Sequence, residues 1–182
     1  TGALHRAKTP QGSGPGMKNQ VCLIPRVSGL GGMVSFQAKF IQGLVERQIP
    51  YTFDLSHPDN TAVLVIGGTR HLYQLWRAKQ RGLRIYQRLN GMNWMHRVEK
   101  TPLRLAIKAE MNNRTLAFIR RFLTAGIIYQ SSFSQTWWEQ VFGMPDLPTH
   151  IVYNGVDLSQ YSPEGEGTPP EDHYRILLVE GH

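Results

Sequence analysis

AVLVIGGTRHLYQLWRAK, residues 62–79, opens with five consecutive apolar residues, breaks at a glycine pair and continues into a helix-forming segment. A short apolar run bounded by turn residues reads as a central parallel strand buried on both faces. Gly67-Gly68-Thr69 turns that strand into a helix over roughly Arg70 to Lys79. One strand–turn–helix unit of this kind needs neighbours, so the pattern should repeat on either side.

It does. Upstream, Val21 to Pro25 is a short apolar strand, and Ser28 to Gly32 (SGLGG) is a glycine turn. Met33, Phe36, Phe40, Ile41, Leu44 and Val45 then recur at helical spacing, Pro50 punctuates, and Tyr51 to Leu55 reads as a second strand. Downstream, Leu83 to Leu89 is a strand ended by Asn90-Gly91. Pro102 suits the first turn of a long helix, Leu103 to Leu123. Ile127 to Gln130 is a strand, Ser132 or Ser134 can cap a helix that stops at Gly143, and Ile151 to Tyr153 is a further strand. Such alternation predicts an α/β fold: a Rossmann-like, open, mainly parallel sheet with helices on both faces. Ligands of these sheets bind at the carboxyl ends of the strands.

Composition narrows the classes. The chain has 182 residues, 41% hydrophobic, and suits one compact domain. No apolar run approaches the roughly 20 residues of a membrane helix. Residues 1–16, TGALHRAKTPQGSGPG, have no hydrophobic period and read as an expression-tag remnant. The formal net charge is +7, and without Arg6 and Lys8 it is +5. A basic surface suits phosphate-bearing ligands, nucleic acid or anionic lipid. Helix-turn-helix, RNA-recognition and zinc-finger patterns are missing, which argues against nucleic acid. The seven histidines are scattered, so no metal site is expected. Cys22 is the only cysteine; it excludes an internal disulfide and fits a cytoplasmic location.

The glycine turn Ser28–Gly32 lets the backbone approach a ligand at a helix N-terminus, which suits a phosphate. A ligand-free tight turn is the alternative. Its spacing is neither GxGxxG nor a Walker motif, so no nicotinamide or ATP site is expected. Residues 162–172, SPEGEGTPPED, form a Pro/Gly/acid linker, and Arg175 to Val179 opens a new strand.

The order of these features carries a resemblance. Strand, GGM (31–33), amphipathic helix and IPYTFD (49–54) look like the start of a group 1 (family 4) glycosyltransferase of the GT-B fold. YQSSFSQTWWEQVFG (129–143) resembles that family's strand–serine–helix segment. IVYNGVDLSQYSP (151–163) is close to its Asn-Gly-Val-Asp stretch, and RILLVEGH (175–182) sits where its second domain begins. With the tag remnant at 1–16 set aside, the resemblance implies an acceptor-side domain at 17–161, with the linker at 162–174 leading to the first strand of a donor-binding domain at 175–182. It implies a hexosyltransferase that moves a sugar, with retention, from a nucleotide-sugar donor to the hydroxyl of a glycan, a lipid-linked sugar or a small molecule. It needs no other cofactor, and the chain alone would be inactive because the donor pocket belongs to the second domain. A non-catalytic Rossmann-type domain binding a nucleotide or sugar is the competing class.

Within this frame Gly31 and Gly32 would face the donor diphosphate. Asn154, Gly155 and Asp157 would form the interdomain bend, where simple turn chemistry is the alternative. Relatives place a histidine after the strand corresponding to Ile85–Leu89. Here Asn90 and His96 are the nearest candidates for a catalytic role. Arg88, Asn93, Trp94 and Arg97, with Arg70 and His71 after the Gly67-Gly68 turn, are acceptor-binding candidates; a surface loop with one anchoring tryptophan is the alternative. The basic amphipathic helix at 103–123 can lie on an anionic membrane at the cytoplasmic face, or pack one face on the sheet and solvate the other. Of Trp137 and Trp138, one ring should be in the core and one partly exposed.

Overall fold

Ala62–Ile66 lies within the third strand of a six-stranded parallel sheet. The computed structural model describes residues 19–156 and Asp172. The expected tag remnant, Asp157, the linker (Asp172 apart) and the strand at 175–182 lie outside the described residues.

The elements are β1 (Gln20–Ile24), α1 (Gly32–Glu46), β2 (Tyr51–Thr52), β3 (Asn60–Ile66), α2 (Leu72–Gln80), β4 (Arg84–Leu89), α3 (Met95–Val98), α4 (Leu103–Phe118), a π turn (Ile119–Leu123), β5 (Gly126–Tyr129), α5 (Ser132–Phe142) and β6 (Thr149–Ile151). Sheet order is β2-β1-β3-β4-β5-β6, and every pairing is parallel. The chain steps from β1 to β2 on one side, then returns past β1 to β3. That reversal places a topological switch point between β1 and β3, where such sheets open a crevice.

Because side chains alternate along a strand, register sorts the core onto two faces. Cys22, Ile24, Val63, Val65 and Ile85 meet Leu75 of α2 and Ile119 and Leu123 of the π turn. Leu89, Ile127 and Tyr129, on the same face, meet Leu116 and Trp138. Leu23, Leu64 and Ile66 point the other way, onto Leu44, Phe36, Phe40 and Ile41 of α1. Helices therefore cover both faces, as the alternation predicts. Full burial of each such aliphatic side chain contributes about 1.5–3 kcal/mol. Cys22 is sealed in this core, and burial, with the Asp54 charge behind it, pushes its thiol up to about 12.

Several boundaries differ from the sequence-based expectations by a residue or two, a short helix, α3, stands in the loop after β4, and four differences have a visible physical cause. β2 ends at Thr52 rather than Leu55, because the Asp54 carboxylate accepts from the Ser56 N–H (2.8 Å) and hydroxyl (2.6 Å) and bends the chain. The expected helix 103–123 widens at Ile119: the Thr124 N–H donates to the Ile119 carbonyl, five residues back (3.2 Å). This turn buries Ile119, Arg120 and Leu123 together. β6 is Thr149–Ile151 rather than Ile151–Tyr153, since pairing with Ile127–Tyr129 sets its register and its apolar residues lie exposed on an edge strand. The cap of α5 is Ser131, in extended conformation, and not Ser132 or Ser134.

Candidate functional site

At the carboxyl end of β1 the chain enters α1 through Gly31, with φ 120° and ψ 171°, a region open essentially to glycine alone. No side chain caps α1, and the Val34 N–H donates to the Gly31 carbonyl (3.1 Å), so the Gly32 and Met33 N–H groups and the positive end of the dipole stay available. A Cβ on Gly31 or Gly32 would meet nothing within 4 Å. The turn's root is held by Gln37, which is buried: its Oε1 accepts from the Val27 N–H (3.1 Å) and its Nε2 donates to the Pro25 carbonyl (2.8 Å). Sequence reading missed Gln37, although a polar residue inside the apolar stripe 33-37-40-44 is the signal for a buried clamp. The Gly67-Gly68 turn is different. A Cβ on Gly68 would lie 2.6 Å from Leu116 Cδ2, so that glycine serves close packing of α4 on the sheet.

Arg88, on the α1 face of β4, is only 2% exposed. Its guanidinium lies 3.7 Å from the centroid of Phe36, in the N-terminal part of α1. It donates to Asn90 Oδ1, to Asn154 Oδ1 (2.6 Å) and to Gln130 Oε1 (3.4 Å). All three acceptors are neutral. Burial draws its pKa below the ordinary arginine value, yet a guanidinium remains a cation at any physiological pH. Arg88 is thus enclosed, rather than displayed on a surface loop to meet an acceptor. It joins two sequence candidates, Asn90 and Asn154, that lie 64 residues apart in the chain. Lys39 Nζ donates to the Gly155 carbonyl (3.4 Å), so α1 also holds the Asn154-Gly155 bend.

The loop after β4 is tied to α4. Asn113, fully buried, accepts from the Asn93 N–H (3.0 Å) and donates to the Asn93 carbonyl (2.7 Å). Trp94 is 42% exposed and stacks at 6.5 Å on Trp137, while Trp138 is buried. His96 and Arg97 turn onto Glu110 of α4 at 3.2 and 2.9 Å, and Arg114 joins at 3.5 Å. Arg97 foremost holds the Glu110 carboxyl below the usual carboxylate range. His96 Nδ1 is buried without a partner among the described residues. His96 and Asn90 are therefore occupied in separate networks, one on α4 and one around Arg88.

Arg70, His71 and Asn93 do come together. They line a cleft of about 930 Å³ between the turn after β3 and the N-terminal half of α4. Arg104 and Lys108 line its far wall, which the sequence showed only as part of a basic helix. A second cleft, of about 600 Å³, shares His71 and runs under Phe53 and Asp54. Thr69 Oγ1 accepts from the His71 N–H (3.1 Å) and fixes the turn between the two. Among the described residues, no group of three His, Cys, Asp or Glu could hold a metal, and no helix is long and apolar enough to cross a membrane. Compared with protein-family models, curated proteins and solved structures, the chain matches none.

Proposed function

We propose that the chain is the acceptor-side domain of a retaining nucleotide-sugar glycosyltransferase of GT-B architecture. The observation that carries this reading is the uncapped N-terminus of α1 behind Gly31 and Gly32, at the carboxyl end of β1 beside the switch point. Open backbone amides at such a place suit a diphosphate, and the buried Arg88, with neutral acceptors only, adds positive potential near the same end of α1. Sugar transfer breaks the bond between the anomeric carbon and the diphosphate, so stabilising charge on the departing group is the main electrostatic task. The acceptor would lie in the cleft of Arg70, His71 and Asn93. The Asn154-Gly155 bend, held by Arg88 and Lys39, would fix where the donor-binding domain starts.

The test is a nucleotide-sugar screen on the protein of the complete reading frame, with 1–182 alone beside it. Transfer by the former and none by the latter is expected. Transfer by 1–182 overturns the division of labour between two domains. Donor binding without turnover in the complete protein returns the chain to the class of non-catalytic nucleotide-binding domains.

A further inference from the structure

The cleft wall formed by α4 has a composition that a solvated helix face does not need. Arg104, Ile107, Lys108, Met111, Asn112 and Thr115 all line it, spaced at i, i+3, i+4, i+7, i+8 and i+11. These six lie on a single stripe along the helix, and Leu105 and Ala109 beside it line the cleft too. The opposite stripe, with Asn113 and Leu116, is buried against the body of the domain. Two electrostatic faults lie on the open stripe. Arg104 and Lys108 are like charges at i and i+4, which repel. Arg104 also stands in the first turn of α4, at the positive end of the dipole, where acids are favoured and none is present. Across the cleft Arg70 and His71 face the same volume, and among the described residues no carboxylate lines it. Glu110, the acid within α4, is engaged with His96, Arg97 and Arg114 instead.

An anion in the cleft would relieve both faults at once. The same wall also exposes large apolar side chains: Leu105 is 53% exposed, Ile107 51% and Met111 65%. Cations at the entry to the helix followed by an apolar ridge match a molecule with an anionic head and an apolar chain. From this geometry we infer that the cleft binds a phosphate-bearing amphiphile, its phosphate between Arg70, His71, Arg104 and Lys108 and its chain along Leu105, Ile107 and Met111. The identification of that ligand as the sugar acceptor rests on the function proposed above; its binding does not.

Calorimetric titration of the 1–182 chain with octyl phosphate, inorganic phosphate and octyl glucoside tests this without any donor. Octyl phosphate should bind at least about tenfold more tightly than inorganic phosphate, the equivalent of burying roughly two methylenes. Octyl glucoside should not compete with it. Arg104→Glu and Lys108→Glu, both at exposed positions that leave the core untouched, should each weaken octyl phosphate by about tenfold, as loss of a charge-assisted contact does. Met111→Ser should weaken octyl phosphate and leave inorganic phosphate unchanged. Equal binding of octyl phosphate and inorganic phosphate removes the apolar half of the inference, and indifference to both charge reversals overturns it. Octyl phosphate binding by a protein that transfers no sugar sinks the proposed function and leaves this site standing. Transfer to a neutral acceptor with no octyl phosphate binding does the reverse.

Discussion

At the end of β5 the chain enters α5 through Ser131, whose hydroxyl accepts from the Ser134 N–H at 3.1 Å. Ser134 is itself buried and donates to the Asn90 carbonyl (2.9 Å), which also accepts from Trp138 Nε1 (2.8 Å). At the end of β1 the chain enters α1 through Gly31, with no cap and open space over the turn. Both turns stand at the carboxyl ends of strands in one parallel sheet, and both lead into helices of eleven residues or more. At α5 one side chain satisfies one donor, the Ser134 N–H, and a tryptophan packs beneath it. At α1 no side chain does so: the Val34 N–H donates to the Gly31 carbonyl (3.1 Å), and the Gly32 and Met33 N–H groups start the helix on a glycine frame with open space over it. Both helix starts keep orphan N–H groups; what separates the two turns is the capping serine and buried tryptophan of α5 against the uncapped glycine frame of α1.

The contrast can be attacked first at its buried half. Trp138→Ala removes a fully buried ring and its bond to Asn90, and should destabilise the fold by about 3–5 kcal/mol in denaturant titration. A loss below 1 kcal/mol would mean that the α5 turn is no more built-in than the α1 turn. Next comes Gly31→Ala. The added methyl meets no atom, so any loss arises from the backbone alone; about 1–3 kcal/mol is expected at its φ and ψ. A neutral result would show that the chain reaches α1 equally well by an ordinary conformation.

Ser131→Ala should lose about 1 kcal/mol, the usual worth of an N-cap. Met33→Ser, placed just inside the uncapped end of α1, is not a substitute for that comparison, because Met33 also contacts the Gly67 region. The finest probe is Gly32→Ala. Gly32 needs neither positive φ nor tight packing, so its stability change should stay below about 1 kcal/mol, while donor turnover in the complete protein falls tenfold or more if a diphosphate sits against that backbone. Unchanged turnover would leave the open turn without its proposed occupant.

Much of this architecture is legible along the chain. Cys22, Val63 and Val65 lie in apolar runs, and the stripe Phe36, Phe40, Ile41 and Leu44 marks the face of α1 that covers the sheet. Trp137 and Trp138 divide as expected, one partly exposed and one buried. Local signals misled where a strand lies at an edge. Ile151, Val152 and Tyr153 look like strand residues, yet all are exposed, and the pairing with β5 begins two residues earlier. The candidate site was harder to read. Arg70 and His71 were visible at a strand end, but Arg104 and Lys108 were not separable from the other cations of α4. Nothing local distinguishes a cation facing a cleft from one facing water.

Residue order alone determined the alternation of strands and helices, the glycine frame before α1 and the apolar stripes that make a two-faced sheet, because each depends on spacing within some ten or fifteen residues. Tertiary structure decided the rest: that Arg88 would be enclosed with Asn154 rather than offered to a ligand, that His96 would turn to Glu110, and that one loop and one helix would pool their basic residues around a single cleft. Those outcomes hinge on which distant segments the strand order brings side by side, and contacts across dozens of residues leave no periodic trace in a lone sequence.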